Sequence, residues 1–196
     1  MIHRGRTEEG FVKIGHVNLA GSFNGTGGHF IALIEALDRH GIKQHVIVCN
    51  NALAKRVAIY DNVTLGPVTA SPVVAYCLMP KVDVVHVHND KSAQSGLLLT
   101  LTKSIPFVLT RRDGGMSSTG PISRSIEDRA AGLICCTKEV ADTVLRRTSK
   151  PQVVVIEDIA MEHGANLETL GNRAAADHLR VYRRAIDAWR MPALML

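Results

Sequence analysis

Six apolar runs, VKIGHVNLA (12–20), QHVIVCN (44–50), VDVVHVHN (82–89), IPFVLT (105–110), AGLICCT (131–137) and PQVVVIE (151–157), are built largely from Val, Ile and Leu with little polar alternation. A strand that shows one face to water alternates, whereas one that is apolar almost throughout is covered on both faces, as in a parallel sheet. NVTLG (62–66) reads as a further short strand. Between the runs lie segments with helical spacing. The first, 29–41, puts Phe30, Leu33, Ile34 and Leu37 on one face and ends at Gly41 as a C-cap. Others span 52–59, 70–79, 91–103, 122–130 and 138–147. Parallel strands joined through helices require right-handed crossovers. The expected fold is α/β: a single Rossmann-like, doubly wound parallel sheet of about seven strands with helices on both faces.

A chain of 196 residues suits one such domain. The reading divides it into a polar arm (1–11) without the apolar core of a signal peptide, the sheet domain (12–157), and a connector with a C-terminal helix (158–196). In that helix Leu179, Tyr182, Ile186 and Trp189 form an amphipathic stripe, while Arg173, Arg180, Arg183, Arg184 and Arg190 occupy mainly other faces. Docking on the domain and contact with an anionic membrane surface both fit this pattern. No run approaches the ~20 apolar residues of a membrane span. The formal charge of +5 comes without a long basic run and with only 4% aromatic residues, so the features of a nucleic-acid module are missing, no nucleic-acid partner is expected, and an anionic small ligand or an anionic membrane surface explains the excess as well. Cys49, Cys77, Cys135 and Cys136 lack metal-site spacing and read as buried, reduced thiols in a cytoplasmic protein, with contact at the inner membrane face left open.

In a doubly wound sheet, ligands bind outside the carboxyl ends of the strands. That rule selects GSFNGTGG (21–28), HVHND (86–90), TRRDGG (110–115) and CTKE (136–139). The glycine-rich stretch precedes a helix, where unsatisfied N–H groups and the helix dipole favour an anion. It lacks the lysine of a P-loop. It is no dinucleotide fingerprint either, because Phe30 stands where the third glycine belongs and Asn50 and Asn51 replace the ribose-binding acid. His86 and His88 share one side of their strand, with His88 nearest its carboxyl end, where an imidazole can meet a sugar hydroxyl or a phosphate near its working pH or simply fill the core. Asp90 with the two histidines could supply metal ligands, but Lys91 beside them argues against a cation, and no metal is expected. Arg111 and Arg112 offer guanidinium forks to phosphate or carboxylate at another strand end.

With GSFNGTGGHF, VDVVHVHND, IPFVLTRR and AGLICCTKEVADTVL in this order, residues 12–157 resemble the amino-terminal domain of family 4-like glycosyltransferases of the GT-B fold. The resemblance implies that the glycine stretch faces a sugar donor's diphosphate or the acceptor, that His88 approaches the transferred sugar, and that the arginine pair holds an anionic acceptor such as a lipopolysaccharide core. It puts Gly27, Gly28, His88, Arg111 and Arg112 at those positions; together with the strand-end segments this makes His88 the catalytic candidate and Gly25, Thr26, Gly27, Gly28, Asn89, Arg111, Arg112 and Lys138 the ligand-binding candidates. It also implies a nucleotide-sugar substrate with no cofactor, and carbohydrate biosynthesis as the setting. In that family a second domain with a Glu-x7-Glu motif holds the donor, and here VVVIEDIAMEHGAN leads instead to LRVYRRAIDAW, which resembles the helix that closes back on the first domain. The chain is thus expected to be the acceptor-side half of a transferase, its donor lobe supplied by another protein or a second copy. The alternative is a noncatalytic sugar- or phosphate-binding or subunit-interaction protein on the same scaffold.

Overall fold

The computed structural model describes residues 12–20, 26–112, 121–146, 148, 152–157 and 167–191. Strands and helices alternate as β1 (Ile14–Asn18), α1 (Thr26–Arg39), β2 (Gln44–Val48), α2 (Asn51–Val57), β3 (Val63–Val68), α3 (Pro72–Leu78), β4 (Val84–Val87), α4 (Asp90–Lys103), β5 (Phe107–Arg111), α5 (Pro121–Arg129), β6 (Gly132–Cys135), α6 (Lys138–Leu145), β7 (Val153–Val155) and α7 (Leu167–Arg190). The strands form one seven-stranded parallel sheet in the order β3-β2-β1-β4-β5-β6-β7. The chain starts in the middle, winds outward to β3, then returns to lay β4 against β1. The expected α/β Rossmann-like fold with a C-terminal helix is the one found, and the β1/β4 seam is its topological switch point.

The apolar runs are explained by what covers them. Val17, Val85, Val87, Leu109, Leu133 and Cys135 pack with Ala93, Leu99, Ile126, Val140 and Val144 from α4, α5 and α6. On the other face Ile14, Val84, Val108 and Ile134 meet Leu33 and Leu37 of α1 and Val181, Tyr182 and Ile186 of α7. A smaller cluster joins Phe30 and Ile34 of α1 to Val46, Val48, Leu53 and Val57. Central strands buried on both sides carry no solvent face, hence no alternation.

Among the boundaries that differ from the sequence reading, two stand out. The first helix begins at Thr26, not His29, so Thr26, Gly27 and Gly28 form its first turn and are not part of a loop. Glycine's poor helix propensity hid this start, and the tertiary setting overrides it. The same helix ends as expected: Gly41 takes a left-handed φ of 69°, and the Ile42 N–H reaches back to the Leu37 carbonyl. At the other end, β7 is only three residues, since Gln152, Ile156 and Glu157 lie outside the ladder.

α7 docks on the domain through Ala175, His178, Val181, Tyr182, Ala185 and Ile186, while Arg173, Arg180, Arg183, Arg184 and Arg190 are exposed. Of the expected stripe, Tyr182 and Ile186 are buried and Leu179 is half-buried. Trp189 keeps 36% of its surface exposed and donates its indole N–H to the Ser104 carbonyl at 2.8 Å. Among the thiols, Cys135 and Cys136 are buried as expected, but Cys77 on α3 is exposed, because it points off the side of that helix opposite buried Ala75. No helix among the described residues is long and apolar enough to cross a membrane.

Candidate functional site

Parallel pairing in register sets His16 of β1 beside His86 of β4. Partners in register share a face, and so do residues two apart on one strand, so His16, His86 and His88 converge beneath the carboxyl edge of the sheet. The His86 and His88 rings lie 3.9 Å apart between centroids, and His88 meets the edge of Phe30 at 4.8 Å. All three imidazoles are buried. Their polar atoms are accounted for pair by pair. His16 Nδ1 and His88 Nε2 are 3.1 Å apart, His86 Nδ1 lies 2.7 Å from the Tyr182 hydroxyl, and His86 Nε2 lies 2.6 Å from the Thr110 hydroxyl. Among the described residues His16 Nε2 is buried with no hydrogen-bond partner.

Burial dominates the titration of this group. Loss of water pushes His16 down to about 3, with the charge of His178 adding to the effect. His86 and His88 are driven well below 6.5, first by burial and then by neighbouring histidines and Arg112. Burial also holds the Tyr182 hydroxyl well above its usual range. The sequence reading gave His88 a proton exchange near working pH. In the folded chain it is a neutral imidazole throughout that range, because charging it would bury a cation without water.

A shallow cleft with a cavity of only about 20 Å³, room for about one water, lies over these groups, lined among others by Phe30, His86, His88, Thr110, Arg112, Cys136, Glu157 and His178. It lies beside the first turn of α1, whose orphan N–H groups and dipole favour negative charge. Gly27 there is buried, and a Cβ built on Gly28 would meet no atom within 4 Å, so backbone and ligand can approach closely at that point.

The two arginines have different surroundings. Arg111 is 3% exposed and pairs with Asp90 and with Glu127, the latter at 2.9 Å and itself 1% exposed. It therefore anchors α4 and α5 to β5, and a ligand would have to compete with two carboxylates for it. Arg112 is half-buried and lines the cleft. Asn89 also has structural duties: its side-chain oxygen caps α4 through the Ser92 N–H at 2.9 Å, and its amide donates to Asn18 at 2.9 Å. Those bonds tie the ends of β1 and α4 together across the switch point. Lys138 opens α6, is exposed and does not line the cleft. Gly25 lies outside the described residues, and of Thr26 only the backbone placement in α1 is described.

The structure thus places His88 and Arg112 on the lining of one cleft, to which the helix opened by Gly27 and Gly28 contributes His29, Phe30 and Leu33. Sequence reasoning missed His16, Thr110, His178 and Tyr182. His16 is the register partner of His86 on the neighbouring strand, and Tyr182 lies 96 residues beyond His86 along the chain, so only the strand order and the docking of α7 reveal them. His16, His86 and His88 each offer a ring nitrogen, all within 4.8 Å of one another, a donor set of the kind that can hold zinc. His86 already meets a hydroxyl at each nitrogen, so its joining such a set would break one of those bonds.

No protein-family model and no curated protein matches the sequence. Solved structures match by fold. Anabaena Alr3699/HepE in complex with UDP-glucose gives a TM-score of 0.59 at 13% identity, over 75% of this chain and 44% of that one. The same protein with UDP and glucose gives 0.58 at 12% identity, over the same shares. UDP-N-acetylglucosamine 2-epimerase from Rickettsia bellii gives 0.52 at 12% identity, over 87% of this chain and 49% of that one. The chain therefore spans less than half the length of these proteins. At such identities the likeness is one of architecture, and that architecture is GT-B-like.

Proposed function

We propose that the cleft above β4 and β5 binds a nucleotide-sugar or a phosphorylated glycan acceptor, and that the chain is the acceptor-side half of a glycosyl-transfer enzyme whose donor lobe comes from another polypeptide or a second copy. The observation that carries this reading is the grouping of Arg112 and His88 beside the opening turn of α1 at the switch point of the sheet. The likeness in fold to proteins solved with UDP and UDP-glucose supports it.

In this scheme Arg112 and the α1 N-terminus stabilise phosphate charge, as preorganised donors in a partly dry site. His88 positions the sugar or phosphate by hydrogen bonding, and burial, by lowering its basicity, makes it a weak general base. Burial lowers the basicity of all three histidines, and this favours, as a second reading, binding without transfer on the same residues.

Calorimetry of the chain with UDP-glucose, UDP and glucose 6-phosphate tests the proposal. Binding that is lost in Arg112→Ala and in His88→Ala is the expected result; heat from none of the three ligands would sink it. Sugar transfer or hydrolysis on adding the separately produced partner lobe then separates the enzyme from the binding protein.

A further inference from the structure

The buried hydrogen bonds under the cleft have a direction, and the direction selects a ligand. Tyr182 is fully buried, and among the described residues its hydroxyl has a single partner, His86 Nδ1 at 2.7 Å. If the hydroxyl accepted from a protonated Nδ1, its own proton would be left without an acceptor in a dry core, which costs the full desolvation of that group. The hydroxyl therefore donates. His86 then carries its proton on Nε2 and donates it to Thr110 Oγ1 at 2.6 Å. Thr110 accepts this bond with one lone pair and keeps its own proton to give, and it lines the cleft.

A second chain runs beside the first. His16 Nε2 is buried without a partner, so a proton placed there would be an orphan donor, rarer and costlier than an orphan lone pair. The proton belongs on Nδ1, from which it is donated to His88 Nε2 at 3.1 Å. His88, accepting at Nε2, holds its own proton on Nδ1, on a ring that also lines the cleft.

We infer that Tyr182 and His16 are positioning residues that set Thr110 and His88 as outward hydrogen-bond donors, so that, with Arg112, the cleft presents donors to a phosphate group. This deepens the proposed function and rests on the same cleft. A phosphate offers several acceptor oxygens, no obligatory donor and negative charge, which complements three donors of which one is a guanidinium. A bound cation or a ligand ammonium would meet N–H and O–H groups where it needs lone pairs. Glu157, at the rim, is the carboxylate among the described residues that line the cleft, and it suits a hydroxyl adjoining the phosphate.

Tautomers are read directly by long-range ¹⁵N–¹H correlation spectroscopy of the intact, ¹⁵N-labelled chain, which separates Nδ1-protonated from Nε2-protonated rings without any ligand. The expected spectrum has His86 protonated at Nε2 and His88 at Nδ1, with His86 losing that single tautomer in Tyr182→Phe. Titration with pyrophosphate is expected to move the His88 and Thr110 signals, and methyl glucoside to leave them in place. Thr110→Val should weaken pyrophosphate binding about tenfold, the loss expected for one hydrogen bond to a charged acceptor, and Thr110→Ser should restore it. His86 protonated at Nδ1, His88 protonated at Nε2, no response to pyrophosphate, or methyl glucoside bound as tightly as pyrophosphate each overturns the inference. Parallel titrations with UDP-glucose and glucose 6-phosphate distinguish the phosphate's source and the level of failure. Glucose 6-phosphate bound with UDP-glucose refused would leave the donor polarity standing and remove the nucleotide-sugar. Reversed tautomers with UDP-glucose still bound at Arg112 would do the opposite.

Discussion

Replacing Arg111 by methionine should destabilise the fold severely, although the residue sits at a strand end that the sequence marks for ligand binding. Its guanidinium is 3% exposed and meets Glu127, 1% exposed, at 2.9 Å, with Asp90 on its other side. Asp90, whose side chain is 40% exposed, can be rehydrated when the arginine goes, but Glu127 cannot. Breaking a buried ion pair from one side costs about 3–5 kcal/mol, because a charge is left without its partner. That is a large part of a domain's usual total of ~5–15 kcal/mol. At roughly 2–4 °C per kcal/mol for a chain of this size, Tm should fall by about 6–20 °C. Removing both charges in Arg111→Met/Glu127→Leu should recover most of the loss, since a buried pair exchanged for apolar groups is often neutral. The assay is urea unfolding followed by circular dichroism on the wild type, both single variants and the double variant. A single-variant cost below about 1 kcal/mol, or a double variant no better than the singles, would refute the reasoning and return Arg111 to the list of ligand contacts.

Other perturbations follow from the same geometry. The pKa of His16 is held down at about 3 and those of His86 and His88 well below 6.5, so the unfolded chain takes up protons that the folded one refuses. Stability is therefore full above about pH 6.5 and lost as pH falls below it, each histidine adding up to about 1.4 kcal/mol per pH unit; urea unfolding from pH 7 to 4 should show this slope, reduced in His16→Gln. Gly28→Ala should raise stability by up to about 0.5–1 kcal/mol, because the site has open space around the Cβ position and alanine is the better helix former, yet weaken ligand binding; melting and calorimetry on one sample check both. Asn89→Ala should cost about 0.5–2 kcal/mol by removing the α4 cap and the bond to Asn18, measured by denaturant titration. Gly96→Ala should cost about 1–3 kcal/mol, because a Cβ there would stand 2.8 Å from the Phe107 ring, which is pinned under α4.

The sheet was legible because its strands are apolar on both faces, a pattern that few other architectures produce. The carboxyl edge where His88 and Arg112 stand followed from the alternation of strand and helix, whereas the β1/β4 seam came only with the strand order of the folded chain. What the sequence withheld was contact between distant positions. Arg111 and Arg112 are adjacent and chemically identical, and only the docking of α5 decides that the first is buried against Glu127. Asn89 looked like a ligand group because it follows the histidines, but the same position is the N-cap of α4. Tyr182 and Ile186 read as an apolar stripe, and periodicity gave no sign that the Tyr182 hydroxyl reaches His86. The neutral state of His88 likewise follows from burial, a property of the assembled core and not of the motif HVHND.

The central claim is that the cleft over β4 and β5 holds the phosphate of a sugar-bearing ligand. A crystal structure of the chain with saturating UDP-glucose tests it most directly. The account predicts phosphate density within hydrogen-bonding distance of Arg112, His88 and Thr110, beside the opening turn of α1. Density for the ligand anywhere else, or an empty cleft at saturation, would contradict it.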